Sequence, residues 1–379
     1  MRYRDVCRQA LAAKGAFREP WLRDAFDAVD REDFVPPRAW VPEQGEDGRY
    51  RFIDRDADRT AWQRAVWDHH RSVVTQMDDG KTLPTGPASG DFSSSVSAPD
   101  VVFEKLSHLE LGPHHTVLDV GYGSGCHTAY LCERVGSDRV TAVEMDHDLA
   151  DRGAANLKRA GYAPHLVCGD GLLGVPERAP YDRIISTAAL RTVPRPWIGH
   201  VREGGLILAP FGTAYENAGL LKLRVTRGRA EGRFVGGASY MWMRGQRPGR
   251  ALNVSDDDPA RRSASPIDPH EVLQGSYVQN LAIGLQVPDV SYSHRGRGDD
   301  RKVQFVDQSG TSVAIVRYSG WWEGDAVRVW GPRDLWGEVV TSFSWYQRER
   351  RPDLTRFGVT VDAEGQRFWL DEPGRPVAS

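Results

Sequence analysis

Between residues 101 and 245 short apolar runs alternate with stretches whose apolar residues recur at helical spacing. The runs are "HTVLDVGYG", "DRVTAVEMD", "PHLVCGD", "YDRIISTAAL" and "GGLILAPFG". Strand, helix and strand repeated in this way predict a parallel sheet covered by helices on both faces, because such strands bury both sides. Two further strand candidates, "GLLKLRVTRG" and "GASYMWMRG", close the unit near residue 245.

The pattern differs on either side. Residues 1–40 read as helical, and "PWLRDAFDAVDREDFVPP" sets Trp21, Leu22, Ala25, Phe26 and Val29 on one face until the prolines at 36 and 37 end it. Residues 41–82 form a charged, tryptophan-bearing stretch expected to be partly helical. The segment "GDFSSSVSAPDVV" (90–102) has the serine-rich composition of a flexible linker. Another linker is expected at 251–270, where Asp, Ser and Pro cluster. Beyond it a hairpin in "RKVQFVDQSGTSVAIVRY", a strand in "DAVRVWG", a helix in "RDLWGEVVTSFSWYQRER" and a closing hairpin in "RFGVTVDAEGQRFWLDE" predict a small α+β domain. Its tryptophans build a core or line a peptide groove, with Arg295, Arg297, Arg301 and Lys302 facing an acidic peptide and Trp321 or Trp322 packing on it. The expected division is therefore an N-terminal helical segment, insertion and loop (1–100), a Rossmann-like α/β core (101–250), the linker (251–270), and the α+β domain (271–379).

Composition narrows the function. A net charge of −3 over 379 residues gives no general attraction to phosphate backbones, so nucleic acid is not an expected partner. No apolar run reaches the roughly 18–20 residues of a membrane span, and "MRYRDVCRQALAAKGAF" lacks the apolar centre of a signal peptide. Four cysteines at spacings that match no zinc pattern read as reduced thiols. The adjacent pairs His69-His70 and His114-His115 point to different faces, so no metal site is expected. The expected setting is the cytoplasm.

The chemistry sits in "VLDVGYGSGCHTA" (117–129), a strand followed by Gly121, Gly123 and Gly125 and then a helix. Glycine is needed where backbone must approach a ligand or take positive φ. Nineteen residues after Gly125, at the end of the next strand, stands Glu144, suited to the two hydroxyls of a ribose. Asp170 and Gly171 end the third strand, where the carboxylate can accept an adenine amine. Asp119 is expected to face the same crevice. A dinucleotide needs a third glycine for its pyrophosphate, and that position is Cys126. S-adenosylmethionine has no phosphate and instead needs carboxylates for ribose, adenine and ammonium. The set fits S-adenosylmethionine, and the reading is a methyltransferase.

Several segments resemble the protein-L-isoaspartate O-methyltransferases: "AFDAVDREDFVPP", "LPTG" (83–86), "SVSAP" (95–99), "VEMD" and the long run "GDGLLGVPERAPYDRIISTAALRTVP". The resemblance covers about 16–40 and 82–245. It implies that 90–102 is a substrate loop and not a linker, with Ser97 on the family's catalytic serine, Ser95 on its threonine, and Ser94 and Ala98 beside the substrate. Ala98 departs from the family's glutamine, 41–80 is an insertion, and the residues after 245 are expected to have no counterpart in the repair enzymes. These additions resemble the branch that accompanies ATP-grasp peptide cyclases. That implies methylation of an aspartate in a ribosomally made precursor peptide, whose ester then closes to an aspartimide. The alternatives are isoaspartate repair and a non-catalytic adenosine-binding module.

Overall fold

In the computed structural model, residues 2–249, 254 and 259–377 are described. The chain divides into two compact units, the first made of 1–188, 194–209 and 222–230, the second of 189–193, 210–221 and 231–379.

The first unit opens with helices α1 (Tyr3–Ala13) and α2 (Pro20–Ala28). Pro20 suits the first turn of α2, where its missing N–H is no loss. Trp21, Leu22, Ala25, Phe26 and Val29 are all buried, as their spacing required. The helix ends at Ala28, well before the prolines expected to stop it. Asp30 accepts a hydrogen bond from the Glu32 backbone N–H and starts a separate 3-10 turn at Arg31–Phe34.

The stretch expected to be partly helical holds one helix, α3 (Arg59–Val66), but more of it is strand. β1 (Arg38–Gln44), β2 (Tyr50–Asp54), β3 (Val73–Met77) and β4 (Phe92–Val96) form an antiparallel sheet in the order β2-β1-β3-β4. Trp40, Val74 and Met77 are its buried core, with Tyr50, Phe52 and Phe92 packed against them. Residues 92–96 are thus a paired strand, and 99–107 begin helix α4 (Pro99–Ser107).

The parallel strands follow: β5 (Val117–Val120), α5 (Cys126–Val135), β6 (Val140–Glu144), α6 (His147–Arg159), β7 (His165–Cys168), β8 (Tyr181–Ser186), α7 (Arg195–His200) and β9 (Val201–Gly212). Their order is β9-β8-β5-β6-β7, all parallel. The chain order reverses on either side of β5, and a crevice opens at such a switch point above the carboxyl ends of the strands. β10 (Asn217–Thr226) matches its expected run. β11 is Arg229–Gly237, earlier than the "GASYMWMRG" candidate, of which only Trp242 pairs, through a single bridge to Ala189.

In the second unit the expected linker is partly structured: β12 (Arg261–Ser263) pairs with a later strand, and α8 is Pro269–Leu273. Residues 251–253 and 255–258 of that stretch lie outside the described residues. After α9 (Tyr277–Gly284) come β13 (Val290–Arg295), β14 (Lys302–Asp307), β15 (Val313–Arg317) and β16 (Val327–Trp330), forming an antiparallel sheet ordered β12-β16-β15-β14-β13. Helix α10 (Leu335–Arg348) buries Leu335, Trp336, Val339, Phe343 and Tyr346, and shares its core with Phe305 and Val316. The closing hairpin, β17 (Phe357–Asp362) and β18 (Gly365–Leu370), extends β11 in the order β18-β17-β11 instead of joining that sheet. No described helix is long and apolar enough to cross a membrane.

Candidate active site

The glycine loop between β5 and α5 has the conformation its residues predict. Gly121, Gly123 and Gly125 have φ of +86°, +49° and +89°, values that favour residues without Cβ. Space is as demanding as torsion. A Cβ on Gly125 would lie 2.7 Å from Leu157 Cγ, and one on Gly121 2.9 Å from Thr187 Oγ1. A fourth glycine, Gly153, escaped the sequence reading. It sits inside α6, and a Cβ there would lie 2.2 Å from the Gly123 carbonyl oxygen. A glycine in mid-helix costs about 1 kcal/mol, and that cost was the available signal of a close backbone approach.

Glu144, at the end of β6, is buried beside this loop. Its Oε2 accepts from the Gly123 N–H and its Oε1 from the Asp146 N–H, each at 3.0 Å. The carboxylate thereby shapes the loop it stands beside. Asp170 is exposed after β7, where its Oδ1 accepts from Leu172 N–H at 2.9 Å. Gly171 is buried, and its carbonyl accepts from Trp197 Nε1 at 2.8 Å. Gly169 N–H donates to the Glu144 carbonyl, so the ends of β6 and β7 are tied.

Asp119 does not open onto the crevice. It is wholly buried, and both oxygens are engaged by α5: Oδ1 with His127 Nδ1 at 3.1 Å, Oδ2 with Thr128 Oγ1 at 2.7 Å. Burial would raise its pKa, but His127, Thr128 and nearby Lys105 hold it below the ordinary range. Lys105 on α4 is equally buried, donates to the Ser186 carbonyl at 3.0 Å, and is pushed down to about 7 by desolvation. Asp119 therefore anchors the helix that follows the glycine loop, and lies among groups that sequence reasoning did not connect.

The serine segment is fixed from several sides. Ser94 is buried, and its Oγ accepts from Thr75 Oγ1 at 3.1 Å; a Cβ on Gly123 would come within 3.5 Å of it. Gln76 of β3 bridges outward, accepting from Ser93 Oγ at 2.9 Å and donating to Asp146 Oδ2 at 3.2 Å. Asp146 also caps α6 by accepting from Leu149 N–H. Buried Arg31 donates to the carbonyls of Val66 (2.7 Å) and Val96 (3.0 Å) and lies near Cys126 at the start of α5. Arg31 thus pins the backbone next to Ser97. Ser97 is half-buried, and among the described residues nothing hydrogen-bonds its hydroxyl. Ser95 is half-buried too, and Ala98 is buried as the N-cap of α4. Arg31 and Gln76 were not singled out from sequence, because their partners are backbone atoms and side chains remote along the chain.

In the second unit Arg295 pairs in register with Lys302, and Arg301 lies 4.6 Å from the Tyr318 ring centroid. Trp321 and Trp322 follow β15 in edge-to-face contact, Trp322 being 65% exposed. Trp336 and Trp369 are instead core residues.

Residues 72–241 match the family model described as Protein-L-isoaspartate(D-aspartate) O-methyltransferase (PCMT). The chain is 34% identical over 199 residues to the protein-L-isoaspartate O-methyltransferase of Methanoculleus marisnigri, covering 52% of this chain and 80% of that one. It is 34% identical over 207 residues to the enzyme of that name from Thermococcus onnurineus, covering 54% and 76%. Among solved structures, a protein-L-isoaspartate O-methyltransferase superposes with a TM-score of 0.54 at 17% identity, covering 97% of this chain and all of that one. The residues after 245, expected to lack any counterpart, therefore have one in fold. With the glycine loop, Glu144 and the serine strand in place, the chain belongs to the protein-L-isoaspartate O-methyltransferase family.

Proposed function

We propose that this chain is an S-adenosylmethionine-dependent carboxyl O-methyltransferase that esterifies an aspartate side chain in a ribosomally made, pre-cyclised precursor peptide. The donor set suits the cofactor. Glu144 offers a carboxylate for ribose hydroxyls, Asp170 one for adenine, and Gly121, Gly123 and Gly125 leave room for close approach. Asp119 supports this site through α5. When bound, S-adenosylmethionine supplies an electrophilic methyl group on a sulfonium.

The observation that carries the reading is strand β4. Thr75 holds Ser94, Gln76 holds Ser93 and Arg31 holds the Val96 carbonyl, and the Ser97 hydroxyl just past the strand is left unengaged. A substrate carboxyl with a pKa of ~4 is already ionised at neutral pH and needs no general base. It needs orientation and a dry site, which a pinned strand bearing a hydroxyl supplies. Ala98, where the family carries glutamine, removes a polar group from the substrate side and supports a carboxylate other than the isoaspartyl one. The ester would then close to an aspartimide as the next backbone nitrogen attacks the ester carbon and methanol leaves. Four free thiols suit a cytoplasmic setting.

Isoaspartate repair is the second reading. It is favoured by the name of the relatives and by the solved relative that spans nearly this whole chain. Methyl-labelled S-adenosylmethionine, offered with a generic isoaspartyl peptide or with an aspartyl peptide closed by side-chain crosslinks, separates the two. Mass spectrometry should find the label on the aspartate of the closed peptide. Label on the isoaspartyl peptide alone would make the protein a repair enzyme.

A further inference from the structure

A cavity of about 470 Å³ in the first unit lies behind the glycine loop. Of the residues assigned to the cofactor it touches only Gly123. One wall is Glu32 to Pro37, the other a face of α6 carrying Arg152, Asn156 and Arg159, with exposed Arg55 and buried Thr75 also lining it. Positions 152, 156 and 159 are spaced four and three residues apart, so they share one helix face.

The charges on these walls are unequal. Arg152 Nε donates to the Asp148 carbonyl at 3.0 Å, and Arg159 donates to the Asp33 carbonyl and to Asn156 Oδ1. These bonds are to neutral groups: among the described residues neither arginine pairs with a carboxylate. Glu32, on the opposite wall, accepts from Gln63 Nε2 and Trp67 Nε1 at 3.0 and 2.9 Å and is committed there. Asp33 stands on the same wall, so the lining carries Arg55, Arg152 and Arg159 against Glu32 and Asp33, a positive excess in a chain whose net charge is −3. Thr75 bonds Ser94 on the substrate strand.

We propose that this cavity holds an acidic stretch of the peptide substrate, flanking the carboxylate that is methylated. The inference rests on the reading of the chain as a peptide carboxyl methyltransferase. An extended peptide leaving the serine strand past Thr75 meets phenylalanine, valine and prolines on one side, beyond Glu32 and Asp33. On the other it meets guanidiniums able to take Asp or Glu side chains. The volume lies within the range of ligand sites.

The test uses the full chain and synthetic peptides that share one central target residue, aspartyl in one series and isoaspartyl in the other. Each series carries two flanking glutamates, two alanines or two lysines. The glutamate peptides should show KM about 3- to 30-fold below the lysine peptides, as two exposed ion pairs allow, and added salt should shrink the gap. Arg152→Glu with Arg159→Glu should reverse the order, and Arg152→Gln with Arg159→Gln should flatten it. S-adenosylmethionine affinity and kcat should stay unchanged in both. Equal KM across the flanks in wild type, with methyl ester still formed, would overturn this inference alone. No ester on any peptide, with cofactor still bound, would overturn the reading beneath it as well.

Discussion

The first unit contains two sheets that divide one task. In the parallel sheet the site is made by backbone: strand ends, glycine torsions, and N–H groups turned onto Glu144. In the small antiparallel sheet it is made by side chains: Thr75, Gln76 and the serines of β4, bonded to one another and, through Gln76, to Asp146 at the start of α6. A backbone site tolerates almost no change of volume. A site held by side-chain bonds can lose one contact and keep its fold. Changes in the first should therefore abolish cofactor binding, and changes in the second should slow methyl transfer while cofactor still binds.

The glycines should give the largest effects. Gly125→Ala forces an L-residue to φ +89° against Leu157, so about 2–6 kcal/mol of combined strain and overpacking is expected. Gly153→Ala, whose Cβ meets backbone, should cost no less. Chemical denaturation should find both proteins destabilised and calorimetry should find cofactor binding lost; unchanged values would remove the backbone account of the loop. Glu144→Ala comes next, weakening S-adenosylmethionine by about 2–3 kcal/mol through lost charge-assisted bonds. An unchanged dissociation constant would put the ribose elsewhere. Arg31→Met leaves the carbonyls of Val66 and Val96 without this donor, at about 1–3 kcal/mol of stability. Methyl transfer should slow while cofactor affinity holds. An equal fall in both would merge the two halves of the site. The smallest effect is expected at Trp322→Ala, where exposure limits the stability change to about 0.5 kcal/mol. A raised peptide KM there would assign the second unit a part in recognition.

Legibility followed the same divide. The parallel strands were readable because burial on both faces leaves near-continuous apolar runs, and Gly121 to Gly125 and Glu144 stood at their ends. The small sheet was not. The charged residues of "GRYRFIDRD" hid the two-residue period of Tyr50 and Phe52, and the sheet's serines carried the composition of a linker. Asp119 reads from the sequence as a crevice residue, yet its carboxylate is taken up by His127 and Thr128 in the first turn of the next helix. Arg31 could not be read at all, since its acceptors are carbonyls 35 and 65 residues away. In the second unit the pattern gave α10 and both hairpins correctly but not where the last hairpin pairs. Because β17 extends β11, a truncation near residue 255 would strip a sheet instead of removing a separable domain. Point substitutions are the cleaner probe.

The central claim is that the parallel sheet holds the cofactor while the serine strand places the carboxylate. It is tested most directly by measuring both quantities in Ser97→Ala. Calorimetry should return the wild-type dissociation constant for S-adenosylmethionine, and single-turnover methylation of the accepted peptide should fall roughly 10- to 1000-fold, as loss of one positioning contact allows. A wild-type single-turnover rate, or a loss of cofactor affinity as large as the loss of rate, would contradict it.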